Sequence, residues 1–437
     1  MAASATTSPE SKKLALGNIG WWVMGVISFA LLGFMLFRFV VQLSTPITLH
    51  RLQTVEDIPL PSVFAFHDAN RTSQNPVVPG LAARFDHFDF QAIDPQTHLL
   101  FIVHSGVNPD KQHAIDHNFD PDKDSQTDGN VVVFDLRQNK VVKLLNIPQG
   151  AGVIAAPDLG KVFIGDATDA IVYAVDEHTF AKTPIQLDKF DSPDAMDYDQ
   201  ADHLLFVSDP GTPVDPNKTA NIDPKNQNVA VIDAVNNKFL RKIQLGIDVG
   251  VKKFGDDVGH VQFDPFTGHV FVVTLPLPNQ DDANPIVTPP SFLAEADPFT
   301  GTVISRIKLP DACVNPHGFV LDVQQRVGFI ACIDSQNLVR IDMNTMKADS
   351  TLLPLLFKAD ILRIDHSLHV LYVACATGIS LFDESGRHVS KIGDYFLGGG
   401  SNHTVAIDEA THRVFLPLPS VGGRPILRIV RYDAKGV

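Results

Sequence analysis

Seven times the chain runs an apolar strand into an aspartate, at Asp94, Asp158, Asp199, Asp264, Asp322, Asp365 and Asp408. A polar turn and a second strand of the Leu-Phe-Val type follow, as where Phe90-Gln-Ala-Ile-Asp94 leads into Leu99-Leu-Phe-Ile-Val103. A third strand often closes on aspartate as well, and an outer strand completes the unit. Self-similarity of this kind marks a repeat architecture and constrains the fold more than any single motif. The tightest spacings, Asp158 to Asp199 and Asp365 to Asp408, are a little over forty residues, the length of one four-stranded propeller blade. Short strands rich in Val, Ile and Phe, parted by turns such as Asp297-Pro-Phe-Thr-Gly301, exclude a helical solenoid.

The predicted fold class is therefore all-β, a seven-bladed β-propeller spanning 52–437. The last unit supplies three clear strands, within 404–407, 413–416 and 426–432, and Leu52–Leu60 reads as its missing outer strand. Placing both chain ends in one blade closes the ring and removes an exposed sheet edge.

Ahead of the repeats, Ile19 to Val41 is apolar apart from Arg38. About 20 such residues cross a bilayer as a helix. The stretch is too long for a signal peptide and no Ala-x-Ala pattern follows it. The expectation is a single transmembrane signal anchor over 19–43, after a short cytoplasmic tail at 1–18 and before a juxtamembrane linker at 44–51. Lys12 and Lys13 before it and Arg38, His50 and Arg51 at or beyond its far end leave orientation undecided on charge. With 50 acidic against 35 basic residues and no basic cluster, no nucleic-acid surface is expected.

Trp21 and Trp22 are the only tryptophans, so the Trp-Asp signature of WD40 repeats and the tryptophan docking motifs of quinoprotein dehydrogenases are absent. The units His98-Leu-Leu-Phe-Ile-Val-His104 and His203-Leu-Leu-Phe-Val-Ser-Asp209, third strands such as Val229-Ala-Val-Ile-Asp233, and the segment Cys313-Val-Asn-Pro-His-Gly-Phe-Val-Leu-Asp322 carry a family likeness. They resemble the YVTN/YncE-like family of bacterial seven-bladed propellers from about residue 50 to the C-terminus. The resemblance implies an extracytoplasmic fold more than a reaction.

Cys313 precedes the inner strand of the fifth unit and Cys332 ends its second strand, so a hairpin brings them within disulfide reach. The family resemblance implies a Cys313–Cys332 bridge. The alternative is zinc with His317 as third ligand, although no fourth ligand stands at zinc spacing. Cys375 repeats the Cys332 position one unit later and reads as a buried free thiol. A disulfide implies an oxidising space. The propeller is then expected outside the cell membrane, as a single-pass protein with its N-terminus inside.

The inserted loops Ser105–Gly129, Pro210–Gln227 and Leu275–Pro290 all fall on the face where the inner strands begin, a face suited to binding. At that channel mouth, equivalent inner-strand positions are Asp89, Asp194, His317, Asp360 and His403, with His260 one place later in blade four and Val153 breaking the series in blade two. The second strands end in His104, Asp166 and Asp209 near the same mouth. Alternation along strands aims equivalent positions at one axis, where Asp and His can hold a divalent cation or form a structural polar ring around trapped water. In the first inserted loop, Asp120, Asp122, Asp124 and Asp128 occupy odd positions of a calcium loop. Ser125 and Val131 stand where an EF-hand needs Gly and Glu, which leaves a looser calcium loop or a solvated acidic loop. His113, Asp116 and His117 form a second metal-ligand pattern nearby.

No Gly-x-Ser-x-Gly elbow, phosphate loop or dinucleotide fingerprint is present. The leading expectation is a membrane-anchored binding or scaffolding module that takes an envelope protein or a small-molecule ligand at its inserted-loop face. The alternative is a lactonase-like, metal-assisted hydrolase at the central channel, with His317 or His403 as general base. The cofactor in that case is a divalent cation, calcium or a transition metal.

Overall fold

In the computed structural model the described residues are 52–61, 64–66, 75–76, 87–105, 126–167, 169–211, 227–245, 256–276, 290–385, 388–398 and 401–433. The apolar run at 19–43 and most of the three inserted loops lie outside them. Among the described residues no helix is long and apolar enough to cross a membrane.

Seven antiparallel sheets follow one another along the chain, each with its first strand innermost. The inner strands His87–Asp94, Gly150–Ala156, Met196–Asp199, Asp256–Asp264, Pro316–Asp322, Ala359–Asp365 and Ala406–Asp408 each contact the next, and the seventh returns to the first. This is a seven-bladed β-propeller. An eighth, small sheet pairs Phe64–Phe66 with Asn75–Pro76 and with Gln126–Asp128.

Burial within a blade follows from stacking the sheets face to face. The second strand Leu99–Ser105 and third strand Asn130–Asp135 are buried almost throughout, since neighbouring blades cover both their faces. That explains why these strands read as continuous apolar runs rather than as alternating ones. The outer strand Lys140–Asn146 faces solvent and is mostly exposed or half-buried.

The ring closes where Leu52–Pro59 pairs antiparallel with Arg424–Tyr432 as the outer strand of blade seven, Leu52 opposite Tyr432 and Pro59 opposite Ile426. Arg428 grips Asp57 with two parallel bonds of 2.8 and 2.7 Å. The Thr54 and Tyr395 hydroxyls, 2.8 Å apart, tie that strand to blade six.

The recurrent aspartate has two tasks. Within its own blade it caps the turn: an Asp94 carboxylate oxygen accepts the Gln96 and Thr97 amides, and Asp264 accepts the Phe266 amide. The turn then passes through one left-handed residue, His98, His203, Arg326, His369 or His412 in five blades and Gly268 in blade four. Across the blade boundary the same carboxylates take a bond from the following blade. Arg326 donates to Asp264 at 2.7 Å, and His412 Nδ1 lies 2.8 Å from Asp365. Blade two departs from expectation: its inner strand stops at Ala156, and Asp158 sits in a 3-10 turn closed by left-handed Gly160. Asp158 still reaches the next blade, 3.1 Å from the Tyr198 hydroxyl.

In two boundaries the partner is a buried glutamic acid. Glu177, which also accepts the Thr97 hydroxyl at 2.9 Å, meets Asp94, and Glu384 meets Asp322. Burial first, then the neighbouring aspartate, pushes both glutamates up to about 8, so each is held as the protonated donor. A raised carboxyl contributes stability fully below its ordinary value of about 4.3 and loses it as pH climbs through about 8. Thermal unfolding across that range is therefore expected to show a falling Tm. Glu177→Gln, which keeps a donor but cannot ionise, is expected to reduce the fall.

The Cys313–Cys332 disulfide is formed, with Cα atoms 5.2 Å apart across a separation of 19 residues. Zinc ligation by these thiols is thereby excluded. Cys375 is free and buried, and burial pushes its thiol up to about 12, which leaves it inert. For a closed loop of this length, Cys313→Ser is expected to cost about 3 kcal/mol, read as a lowered denaturant midpoint at unchanged slope.

Candidate functional site

The inner strands approach closely at the axis because glycines stand where a side chain has no room. A Cβ on Gly152 would lie 1.7 Å from the Asp194 carbonyl oxygen, one on Gly318 1.8 Å from the Asp360 carbonyl oxygen, and one on Gly259 2.6 Å from that of His317. Pairing with the second strand shifts register between Phe88 and Gln91, Val258 and Val261, Pro316 and Phe319, and Ala359 and Leu362. These bulges fall on the mouth residues of blades one, four, five and six, where they re-aim side chains out of the ladder.

The result is a compact group of imidazoles and carboxylates from different blades. Asp360, buried on blade six, is its hub. One carboxylate oxygen lies 2.9 Å from His317 Nδ1 of blade five and 3.6 Å from His260 Nε2 of blade four. The other lies 3.0 Å from His403 Nε2 of blade seven, which in turn stands 3.5 Å from an Asp89 oxygen of blade one. The His260 and His317 rings meet edge-on at 5.1 Å between centroids.

The electrostatics follow from burial set against these partners. Desolvation works against the Asp360 charge, yet the His317 and His403 charges outweigh it and hold the carboxyl well below its usual range. Asp89 is likewise desolvated, and its His403 hydrogen bond and the His87 charge hold it down. His403 pays desolvation too, but Asp360 and Asp89 raise it to about 9. Fully enclosed His260 moves the other way, to about 3, because burial dominates. Asp194 rises to about 7 through burial and the charge of Asp89.

Of the six mouth residues anticipated from the repeat, Asp89, His260, His317, Asp360 and His403 are in contact, and Asp194 feels their charges. The spacing argument missed His87, two positions before Asp89 on the same strand face; its ring packs on His403 at 4.5 Å. An i, i+2 reading of His87-Phe-Asp89 was the available signal. His104 and Asp209 end their second strands in the interior. Both are fully buried, His104 stacked on Phe88 at 4.2 Å and Asp209 accepting the Ser192 and Gly211 amides, so neither belongs to the accessible mouth. Asp166 is equally buried. Asp120, Asp122 and Asp124, together with His113, Asp116 and His117, lie outside the described residues. The backbone of Asp128 ends the short strand Gln126–Asp128.

Beyond the ring the channel opens into a cavity of about 350 Å³ that extends toward the opposite face. Phe90, Val153, Met196 and Phe319 give it apolar walls, His260 of the mouth group also lines it, and Arg363 and Asp197 are half-buried charged groups in the lining. Arg363 donates to the Leu362 carbonyl at 2.9 Å. Asp197 accepts the Phe263 amide at 2.6 Å, while burial raises its carboxyl to about 6.

No protein-family model matches the chain, and no curated protein matches it. Among solved structures, hydrazine synthase of Kuenenia stuttgartiensis is similar, with a TM-score of 0.52 and 12% identity over 78% of this chain and 94% of that one. At that identity the likeness establishes the propeller fold alone.

The glycine contacts yield a direct test. Gly152→Ala and Gly318→Ala are each expected to cost at least about 2 kcal/mol, because the new Cβ must displace a neighbouring backbone carbonyl. Urea unfolding measures this.

Proposed function

We propose that this chain is a membrane-anchored, extracytoplasmic binding propeller of the YncE-like kind, and that its ligand site is the channel mouth. The observation that carries this reading is Asp360, whose two oxygens face three imidazoles drawn from blades four, five and seven. Burying a carboxylate is costly, and a stability role alone is met elsewhere in the molecule by single ion pairs at the turns. Here several charged groups are held at an open mouth, with the His317 and His403 side chains 27% and 32% exposed. The described residues that flank the three insertions, Ser105, Gly211 and Pro276 at or just past the ends of second strands, lie on the face where the inner strands begin. Long insertions on one face of a rigid scaffold suit recognition of a small polar ligand or an envelope protein.

Location and anchoring are supported by the disulfide, which persists in oxidising compartments, and by the apolar run ahead of the propeller. The lactonase-like alternative rests on shared architecture, which does not by itself carry chemistry.

Thermal unfolding of the full-length protein in detergent, against divalent cations, small mono- and dicarboxylates and acidic sugars, tests the reading. At least one probe is expected to raise the wild-type Tm and to lose most of that effect in Asp360→Asn. A panel that shifts wild type and Asp360→Asn alike removes the mouth as the ligand site. Sustained turnover of lactones, abolished in His317→Gln and His403→Gln, would replace binding by catalysis.

A further inference from the structure

Resting on the reading of the mouth as a ligand site, we propose that its ligand is one divalent first-row transition-metal cation, bound by His87, Asp89, Asp360 and His403. The donors at the mouth fall into two adjoining groups that are not equivalent, and hydrogen bonding decides between them. His260, His317 and Asp360 each offer a ligand atom within 4.8 Å of the others, and so do His87, Asp89 and His403.

In the first group, His260 Nδ1 accepts the Phe319 backbone amide at 3.3 Å. An accepting Nδ1 puts the proton of the neutral ring on Nε2, which then points an N–H at Asp360 and has no lone pair to give a metal. His317 turns Nδ1 to the same Asp360 oxygen at 2.9 Å. These two rings therefore orient Asp360 as outer partners do in metal sites, fixing one oxygen and directing the other toward His403.

In the second group the spacing fits a shared cation. His403 Nε2 lies 3.5 Å from an Asp89 oxygen, and the second Asp360 oxygen reaches this group from the first, 3.0 Å from the same nitrogen. Ligands about 2.1 Å from a metal stand about 3.0 Å apart at octahedral angles and about 3.4 Å apart at tetrahedral ones. His87 completes the set from the exposed side, its ring against that of His403. Two imidazoles and two carboxylates suit zinc, manganese, iron, cobalt or nickel in the divalent state. Calcium, which takes six to eight oxygens, is not matched. The two carboxylates offset the cation's charge, and the exposed His87 edge gives it a way in from solvent.

Equilibrium dialysis of chelator-stripped, full-length protein against zinc, manganese and cobalt, with metal counted by elemental analysis, tests this directly. About one equivalent per chain is expected, with a cobalt ligand-field spectrum carrying nitrogen and oxygen ligation. Asp89→Asn and His403→Gln are expected to weaken binding at least about tenfold. His317→Gln is expected to weaken it by about 10- to 100-fold as an outer partner, and to leave stoichiometry intact at high metal. His260→Asn and a triple Asp120, Asp122, Asp124→Asn variant are expected to keep stoichiometric binding. The proposal is overturned if wild type binds no transition metal, if only calcium binds, if the acidic-loop variant abolishes binding, or if Asp89→Asn and His403→Gln bind as wild type does. Should a carboxylate or sugar stabilise wild type through Asp360 while every cation fails, the metal is wrong and the binding mouth stands. Should no probe of any kind act there, both readings fall.

Discussion

Pairing of the strand at 52–59 with that at 424–432 is the contact on which the rest of the molecule depends. A propeller blade buries its second and third strands only between two neighbours, so an open ring would leave one blade with an uncovered apolar face. Drawing both chain ends into blade seven supplies the last neighbour and joins the seventh inner strand to the first. The Arg428–Asp57 pair is well suited to that seam. Its bidentate geometry fixes the register of two strands about 370 residues apart in sequence, where local chain connectivity fixes nothing.

Closure also sets the distance of every inner strand from the axis. Seven strands around one channel come near enough at the mouth that Gly152, Gly259 and Gly318 meet the next strand's backbone directly. With the backbones this close, the neighbouring side chains Asp360, His317, His403 and Asp89 come within reach of one another. The charged group is thus a consequence of ring geometry. The opposite face shows the contrasting use of the same chemistry, where single pairs such as Arg326–Asp264 and His412–Asp365 lock adjacent turns. Those ties are spread around the circumference and converge on no common point, so they hold blades together without forming a site.

Within the mouth the division of labour rests on hydrogen-bond direction. His260 is neutral because it is enclosed and because the Phe319 amide occupies its Nδ1. His403 is drawn toward the charged form by two carboxylates. Two residues of one type, less than a channel's width apart, therefore have opposite electrostatic characters. His260 lines the cavity of about 350 Å³, and His403 is partly open to solvent.

The sequence alone determined the architecture, because blade repetition is written locally. Each unit carries its own apolar runs, its own turn and its own capping aspartate, and seven copies in register leave one way to bury them. It also placed the mouth residues Asp89, Asp194, His317, Asp360 and His403 at equivalent positions, with His260 one place later, since equivalence along a repeat is a one-dimensional property. Tertiary structure alone decided which of them meet. Asp360 and His403 are brought together by ring closure and by bulges that the repeat pattern does not encode, and His87 joins them from a position the spacing passed over. Asp158 lost its strand to a turn, and His104 and Asp209 are enclosed, because burial at a blade boundary depends on the neighbour and not on the strand itself. The direction of each hydrogen bond, and with it the roles of His260 and His403, belongs wholly to that packing.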